Sequence, residues 1–180
     1  MTELATSRLR LRHWRPEDSG PFAGMNADPG VMRHFPGTLN AEDSDALLQR
    51  IATDLEARGW GLWALEERSS GRLVGFTGLA PVLLEVPFAP GVEIGWRLIR
   101  SHWGQGLATE AARAAVAFAF LDLALLELVS FTTPGNQRSR AVMRRLAMTR
   151  DPADDFEHPL LPAGHALRPH VLYRLERAAS

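Results

Sequence analysis

The chain has 180 residues, 46% of them hydrophobic, which suits one packed domain with a sizeable core and leaves little room for two. A formal charge of −1 offers no general field toward nucleic acid or an anionic membrane, so neither is expected as a partner. Cysteine is absent, excluding a disulfide framework, a thiolate nucleophile and a cysteine metal site, and this fits a reducing cytoplasm.

The first residues lack a basic stretch followed by an apolar run, and no segment reaches the roughly 18 to 20 apolar residues of a spanning helix. A cytoplasmic protein is therefore expected. Residues 8–14 alternate arginine with Leu9 and Leu11, the period of a strand with one wet face. Pro16, Glu17 and Asp18 form a helix-start pattern, although Gly20 and Pro21 predict a short or broken helix. Asn40 is placed as the N-cap of a second helix, along which Ala46, Leu47, Ile51 and Leu55 recur at helical spacing as far as Gly59. Residues 60–67 and 72–82 read as neighbouring strands joined by the turn Arg68-Ser69-Ser70-Gly71. Residues 83–90 carry two prolines and are expected as a loop.

A central strand follows over residues 92–99, then the segment Gly104-Gln105-Gly106-Leu107-Ala108-Thr109-Glu110-Ala111 opens an alanine-rich helix over residues 106–121. Glycines at such a start allow positive φ and close approach, while the unpaired N–H groups of the first turn and the helix dipole face an anion. A phosphate-bearing ligand is implied. No Lys-Ser or Lys-Thr follows the second glycine, since the chain has no lysine at all, and the three-glycine spacing of a dinucleotide fingerprint is missing. Residues 127–133 read as the next strand, 136–146 as the next helix and 167–177 as a late strand. The sum is a mixed α/β sheet with helices on both faces.

The turn from Arg100 to Ala111 after the strand Glu93-Ile94-Gly95-Trp96, with Asn136 and Ser139 downstream, resembles the acetyl-CoA site of the GNAT acetyltransferase superfamily, in the branch of the ribosomal-protein alanine acetyltransferases. The likeness extends to the opening strand at Arg8-Leu9-Arg10-Leu11-Arg12 and the closing strand at His170-Val171-Leu172-Tyr173. It implies a single N-acetyltransferase domain over residues 1–180, a mostly antiparallel sheet with a splayed strand pair, and acetyl-CoA as cosubstrate. It also implies that the loop amides grip the CoA pyrophosphate and that the opened strand edge pairs with pantetheine. Residues matched to that cofactor role are Ile99, Arg100, Trp103, Gly104, Gln105, Gly106, Leu107, Ala108, Thr109, Asn136 and Ser139. The family often has Gln or Arg where this chain has Ser101, and Arg100 stands one residue earlier.

Acyl transfer from a thioester to an amine needs a neutral amine, a polarised carbonyl and a proton for the departing thiolate. Glu93, in an otherwise apolar strand, is the candidate base; its other reading is a carboxylate that orients substrate or pairs with arginine. Ser139 is the candidate donor to the leaving sulfur, at a spacing from Asn136 that also serves helix capping. Arg33 and His34, in the irregular stretch 28–36, are candidates for the acceptor pocket, and the only tyrosine, Tyr173, for packing or lining the substrate side. His158, a second candidate for proton transfer, stands with His165 and His170 at spacings that fit no compact metal set, so no metal is expected. Among Trp60, Trp63, Trp96 and Trp103, the last is placed against the cofactor loop and the others in the core. A Ser-His-Asp hydrolase lacks its Gly-x-Ser-x-Gly elbow.

The resulting expectation is direct transfer of an acetyl group to a primary amine, a small molecule or a protein N-terminus, with homodimerisation left open. The competing readings are an acyl-CoA sensor that keeps the loop without chemistry, and an enzyme using the loop for a nucleotide.

Overall fold

The computed structural model describes residues 2–178. Strands β1 (Leu4–Ala5) and β2 (Leu9–Arg12) form a small antiparallel pair, and helix α1 (Ser19–Ala27) follows a 3-10 turn at Pro16–Asp18. Gly20 and Pro21 fall in the first turn of α1, where the missing proline N–H costs nothing, so the helix is short but unbroken. Helix α2 (Ala41–Arg58) starts as expected, with the Asn40 side chain accepting from the Asp43 N–H at 2.8 Å. It ends at the left-handed Gly59.

Strands β3 (Leu62–Glu67), β4 (Leu73–Pro81) and β5 (Val92–Leu98) continue the antiparallel meander, with a bulge where Leu65 faces Gly75 and Glu66 faces Leu73. Residues 83–90 form the expected loop. Helix α3 (Leu107–Leu121) then crosses over to β6 (Glu127–Thr132), which lies parallel to β5, as such a crossover requires. Helix α4 (Gln137–Arg145), the two-residue strand β7 (Phe156–Glu157) and β8 (Pro169–Glu176) complete the chain. The spatial order is β1-β2-β3-β4-β5-β6-β8-β7, a mixed and mostly antiparallel sheet with helices on both faces. The two-residue strands β1 and β7 were outside the sequence expectation, being too short to show any period.

Two cores hold this arrangement. On one face Leu9, Leu11, Trp63, Leu65, Ile94 and Leu98 pack with Ala111, Ala112, Ala115 and Phe118 of α3 and Met143 of α4. Alanines at those positions let α3 approach the sheet closely, burying apolar area worth about 25 cal/mol per Å². On the other face Phe22 and Met25 of α1 and Leu48 and Ile51 of α2 pack on Ala64, Leu73 and Phe76. A buried guanidinium ties the meander to α1: Arg12 donates to Asp18 at 2.7 and 2.9 Å and to Glu66 at 2.6 Å.

Candidate active site

Parallel strands β5 and β6 share one register pair, Glu93 opposite Val129, and diverge beyond it. The backbone edges past Glu93 are therefore not closed by a neighbouring strand. The chain leaves β5 through a 3-10 turn at Arg100–His102 and is pinned there by Trp103, whose Nε1–H donates to the Leu98 carbonyl at 2.8 Å. Gly104 and Gly106 take φ of 75° and 78°, left-handed values that side chains oppose, which is why glycine stands at both. A Cβ on Gly104 would meet nothing within 4 Å, so open space lies over the loop. The first hydrogen bond of α3 runs from the Glu110 N–H to the Gly106 carbonyl, leaving the N–H groups of Leu107, Ala108 and Thr109 for a ligand. Leu107 and Thr109 are themselves 2% and 6% exposed, so what they offer is backbone, with their side chains as anchors.

The loop is held from behind by the start of the chain. Arg8 donates to the Gln105 carbonyl at 3.0 Å and pairs with Glu110 at 2.7 Å, while Thr6 and Ser7 hydroxyls also donate to Glu110. Burial alone would raise the Glu110 carboxyl, but these hydrogen bonds from Thr6, Arg8 and Ser7 outweigh it and hold it down at about 2. Gln105 adds a bond from its amide to the Ser101 carbonyl at 3.1 Å. Ile99 donates its N–H to Val74 and packs toward the α1/α2 core. Arg100, matched by resemblance to the cofactor role, reaches to Asp28 at 3.9 Å and lies against Gly30, with its side chain largely exposed.

At the other lip of the splay, Asn136 caps α4 by accepting from the Ser139 N–H at 3.3 Å and donates to Thr132 at 2.9 Å. The Ser139 hydroxyl is half-buried and has no hydrogen-bond partner among the described residues. Arg138 lays its guanidinium 4.8 Å from the Trp103 ring centroid, joining the two helix starts.

Glu93, Gly95 and Arg97 share the face of β5 opposite Ile94 and Leu98, toward α1 and α2. Glu93 is half-buried without a hydrogen-bond or ion-pair partner among the described residues, and burial pushes its carboxyl up to about 7. Across the mouth, His34 shares a 2.8 Å hydrogen bond with the Thr133 hydroxyl. Arg33, His34, Thr133, Gly135 and Leu167 line a cavity of about 330 Å³ there. Burial, then Arg33 and Arg138, keeps His34 below its ordinary value. A larger cavity, about 450 Å³, lies on the flank around Arg15, Arg72 and His102, away from Glu93.

Beyond β6 the same face carries an aromatic cluster in which Phe88 from the 83–90 loop meets Phe131 at 5.8 Å and Phe156 at 5.0 Å. His170 and His158 continue it, ring centroids 5.0 Å apart. Burial, then the neighbouring His170, keeps the His158 ring below its ordinary value. Of the two readings of Tyr173, packing or lining the substrate side, the structure shows packing. Tyr173 points to the face opposite Glu93, 4% exposed in the α3/α4 core, because β8 alternates and Leu172 packs on the other face with Val82 and Val129. Its hydroxyl accepts from Arg140 at 3.3 Å.

The family model of the acetyltransferase (GNAT) domain matches residues 8–149. The chain belongs to the GNAT acetyltransferase family. By class it is thus an N-acetyltransferase. Over 148 residues it is 30% identical to the uncharacterised protein YkkB of Bacillus subtilis, covering 82% of this chain and 85% of that one. It is 33% identical over 155 residues to the FsC-acetyl coenzyme A-N(2)-transacetylase of Aspergillus fumigatus, covering 81% of this chain but 64% of that protein. The fold is similar to a GNAT-family acetyltransferase from Bacillus anthracis, with a TM-score of 0.81 at 22% identity over 97% of this chain and 98% of that one. Among the described residues of this GNAT chain, no helix is long and apolar enough to cross a membrane.

Three site residues of this GNAT chain escaped the sequence reading. Arg8 was visible only as part of the first strand and Arg138 only as a neighbour of Ser139. Arg97 had a usable signal: in a strand whose other members are mostly apolar, it shares the parity of Glu93.

Proposed function

We propose that this GNAT chain, acting as a single catalytic unit, moves the acetyl group of acetyl-CoA to a primary amine by direct attack, with donor and acceptor bound together. The observation that carries the reading is the lone rung between β5 and β6, with an unpaired, half-buried carboxylate at Glu93 beside it.

The residues present suit the donor. Open space over Gly104 and the free N–H groups of α3 match a pyrophosphate, Arg138 supplies a cation beside them, and the unpaired edges of β5 and β6 match an amide-bearing arm. Acetyl-CoA supplies the activated acyl group. Glu93 takes the proton of the incoming ammonium, directly or through one water, and a carboxyl near 7 is matched to that work at neutral pH. The Ser139 hydroxyl, free of protein partners, donates a hydrogen bond toward the departing sulfur. Its role is to settle the leaving thiolate, since a hydroxyl is a weak acid. Arg33, His34 and His158 line the acceptor side, where the pocket takes a small amine or a protein N-terminus. The transacetylase name of the Aspergillus relative supports acetyl-CoA and an amine as the two substrates. A cysteine-free chain suits work in a reducing cytoplasm.

Thiol release from acetyl-CoA is the test, run across peptides beginning with Ser or Ala, polyamines, amino acids and aminoglycosides. Release with one class supports transfer and names the acceptor chemistry. Saturable CoA binding with silence across the panel at high enzyme would replace the transferase with an acyl-CoA sensor.

A further inference from the structure

Arg97 is a cation without a counter-charge among the described residues. From β5 it passes between two aromatic rings, its guanidinium carbon 4.2 Å from the Phe35 centroid and 5.3 Å from that of Phe76. One Nη donates to the Asn26 Oδ1 at 2.6 Å, while Nε is buried with no partner. The hydrogen-bond partner of its side chain is the neutral Asn26, no carboxylate among the described residues pairs with it, and burial lowers it to about 10, so it stays charged at neutral pH.

Its opposite on the same strand face is Glu93, an acid that also lacks a partner. Four residues of extended chain set their Cα atoms about 13 Å apart, too far for the two to neutralise each other readily. Between them stands Gly95, where a Cβ would meet nothing within 4 Å, so the floor joining them is open. A single strand face thus presents an unpaired acid, a bare stretch and an unpaired base in line. An arginine serving only to hold Asn26 and Phe35 would leave a buried charge and a buried N–H unmet, a costly way to make two contacts that a neutral side chain makes as well.

We infer that the acceptor is an amino acid in the broad sense: its amine sits at Glu93 and a carboxylate further along the same molecule is bound by Arg97. This rests on the transferase reading above and narrows its acceptor to amines bearing an acidic group. The guanidinium is suited to the task, since its planar fork meets a carboxylate with two parallel hydrogen bonds where an amide can offer only one acceptor.

The experiment compares matched acceptors that differ in one group. α-Amino acids and the ω-amino acids from β-alanine to 6-aminohexanoate are each assayed beside their carboxamides, by thiol release from acetyl-CoA. At least one acid should exceed its amide in kcat/KM by tenfold or more in the wild-type protein. In Arg97→Gln that ratio should fall to near one, through a loss of about 10- to 100-fold for the acid, the range of a charge-assisted hydrogen bond. Acids and amides turning over alike in the wild type would overturn the inference. So would an Arg97→Gln variant that loses both substrates equally, which is what a purely loop-holding arginine predicts. If no amine gives thiol release, the transferase reading fails by itself. Arg97 is then judged by tryptophan fluorescence of the CoA-saturated wild type titrated with the N-acetylated acids and amides. Tighter binding of an acid upholds the anion site, and equal binding removes it.

Discussion

Arg138 lies over the indole of Trp103, 4.8 Å from its centroid, and so fastens the first turn of α4 to the loop that opens α3. A cation–π contact of this kind is worth about 0.5–2 kcal/mol, and the same cation stands beside the proposed donor site. Arg138→Ala is expected to raise the apparent KM for acetyl-CoA by about 3- to 30-fold while changing kcat less. Initial rates with acetyl-CoA varied at saturating acceptor check this.

Gly104 and Gly106 are left-handed, so valine at either must strain the backbone by about 1–2 kcal/mol and place a branched side chain on the loop. Both substitutions should lower the thermal midpoint by a few degrees and raise the KM for acetyl-CoA. At Gly104 the affinity effect should dominate, because its Cβ would enter free space and not a packed neighbour. Differential scanning and CoA titration on the same samples separate the two effects.

As the proposed base, Glu93 would act only when ionised, so with its carboxyl held near 7 kcat/KM should climb tenfold per pH unit below about 7 and level above it. Glu93→Gln should lose about 10²- to 10⁴-fold and flatten the climb. Its effect on stability has the opposite sign. A carboxyl raised in the folded state binds more protons there than in the unfolded chain, so wild-type stability falls between about 4.5 and 7. Glu93→Gln should consequently be the more stable protein at pH 8, by about 2 kcal/mol, and lose that advantage by pH 4. An unchanged rate across pH would remove Glu93 as base.

Glu110 behaves in reverse. Its folded value of about 2 lies below the ordinary carboxyl, so it adds stability above about 4.5 that is lost as the pH falls toward 2. Because Arg8 is about half exposed, solvent screening reduces the gain, and Glu110→Gln should cost about 1–2 kcal/mol at pH 7. Urea melts at pH 7, 4 and 2.5 should show the variant and the wild type converging as acid is added.

Tyr173→Phe removes a hydroxyl whose recorded partners are Arg140 and Arg144, on the far face of the sheet from Glu93. It should cost about 1 kcal/mol of stability and leave the acceptor KM where it was. A changed acceptor KM would return the residue to the substrate side.

What the sequence made legible was local. Gly104, Gly106 and the alanines after them spell a helix start, and Asn40 and Asn136 spell caps, because each of these signals lies within a few residues of its partner. Glu93 stood out as the one acid in a mostly apolar strand. Other parts of the site depend on residues far apart in the chain. Arg8 meets Gln105 across 97 residues, His34 meets Thr133 across 99, and Asn26 meets Arg97 across 71. No window of sequence contains either side of those pairs together with the other. Tyr173 was left between packing and substrate lining for a related reason: a strand buried on both faces has no wet side to reveal which way its alternation is phased.

The bond from Arg8 to the Gln105 carbonyl also orders events in time. Glu110 and Arg8 are 102 positions apart, so the glycine loop gains its rear support only when residues 6–8 dock on a helix synthesised much later. Closing so long a loop is slow compared with forming α3 itself. On a ribosome, the opening strand must wait, unclasped, until α3 has emerged. Affinity for acetyl-CoA should thus mature late in refolding, lagging the helical signal, and the donor could serve as a reporter of the last step of assembly.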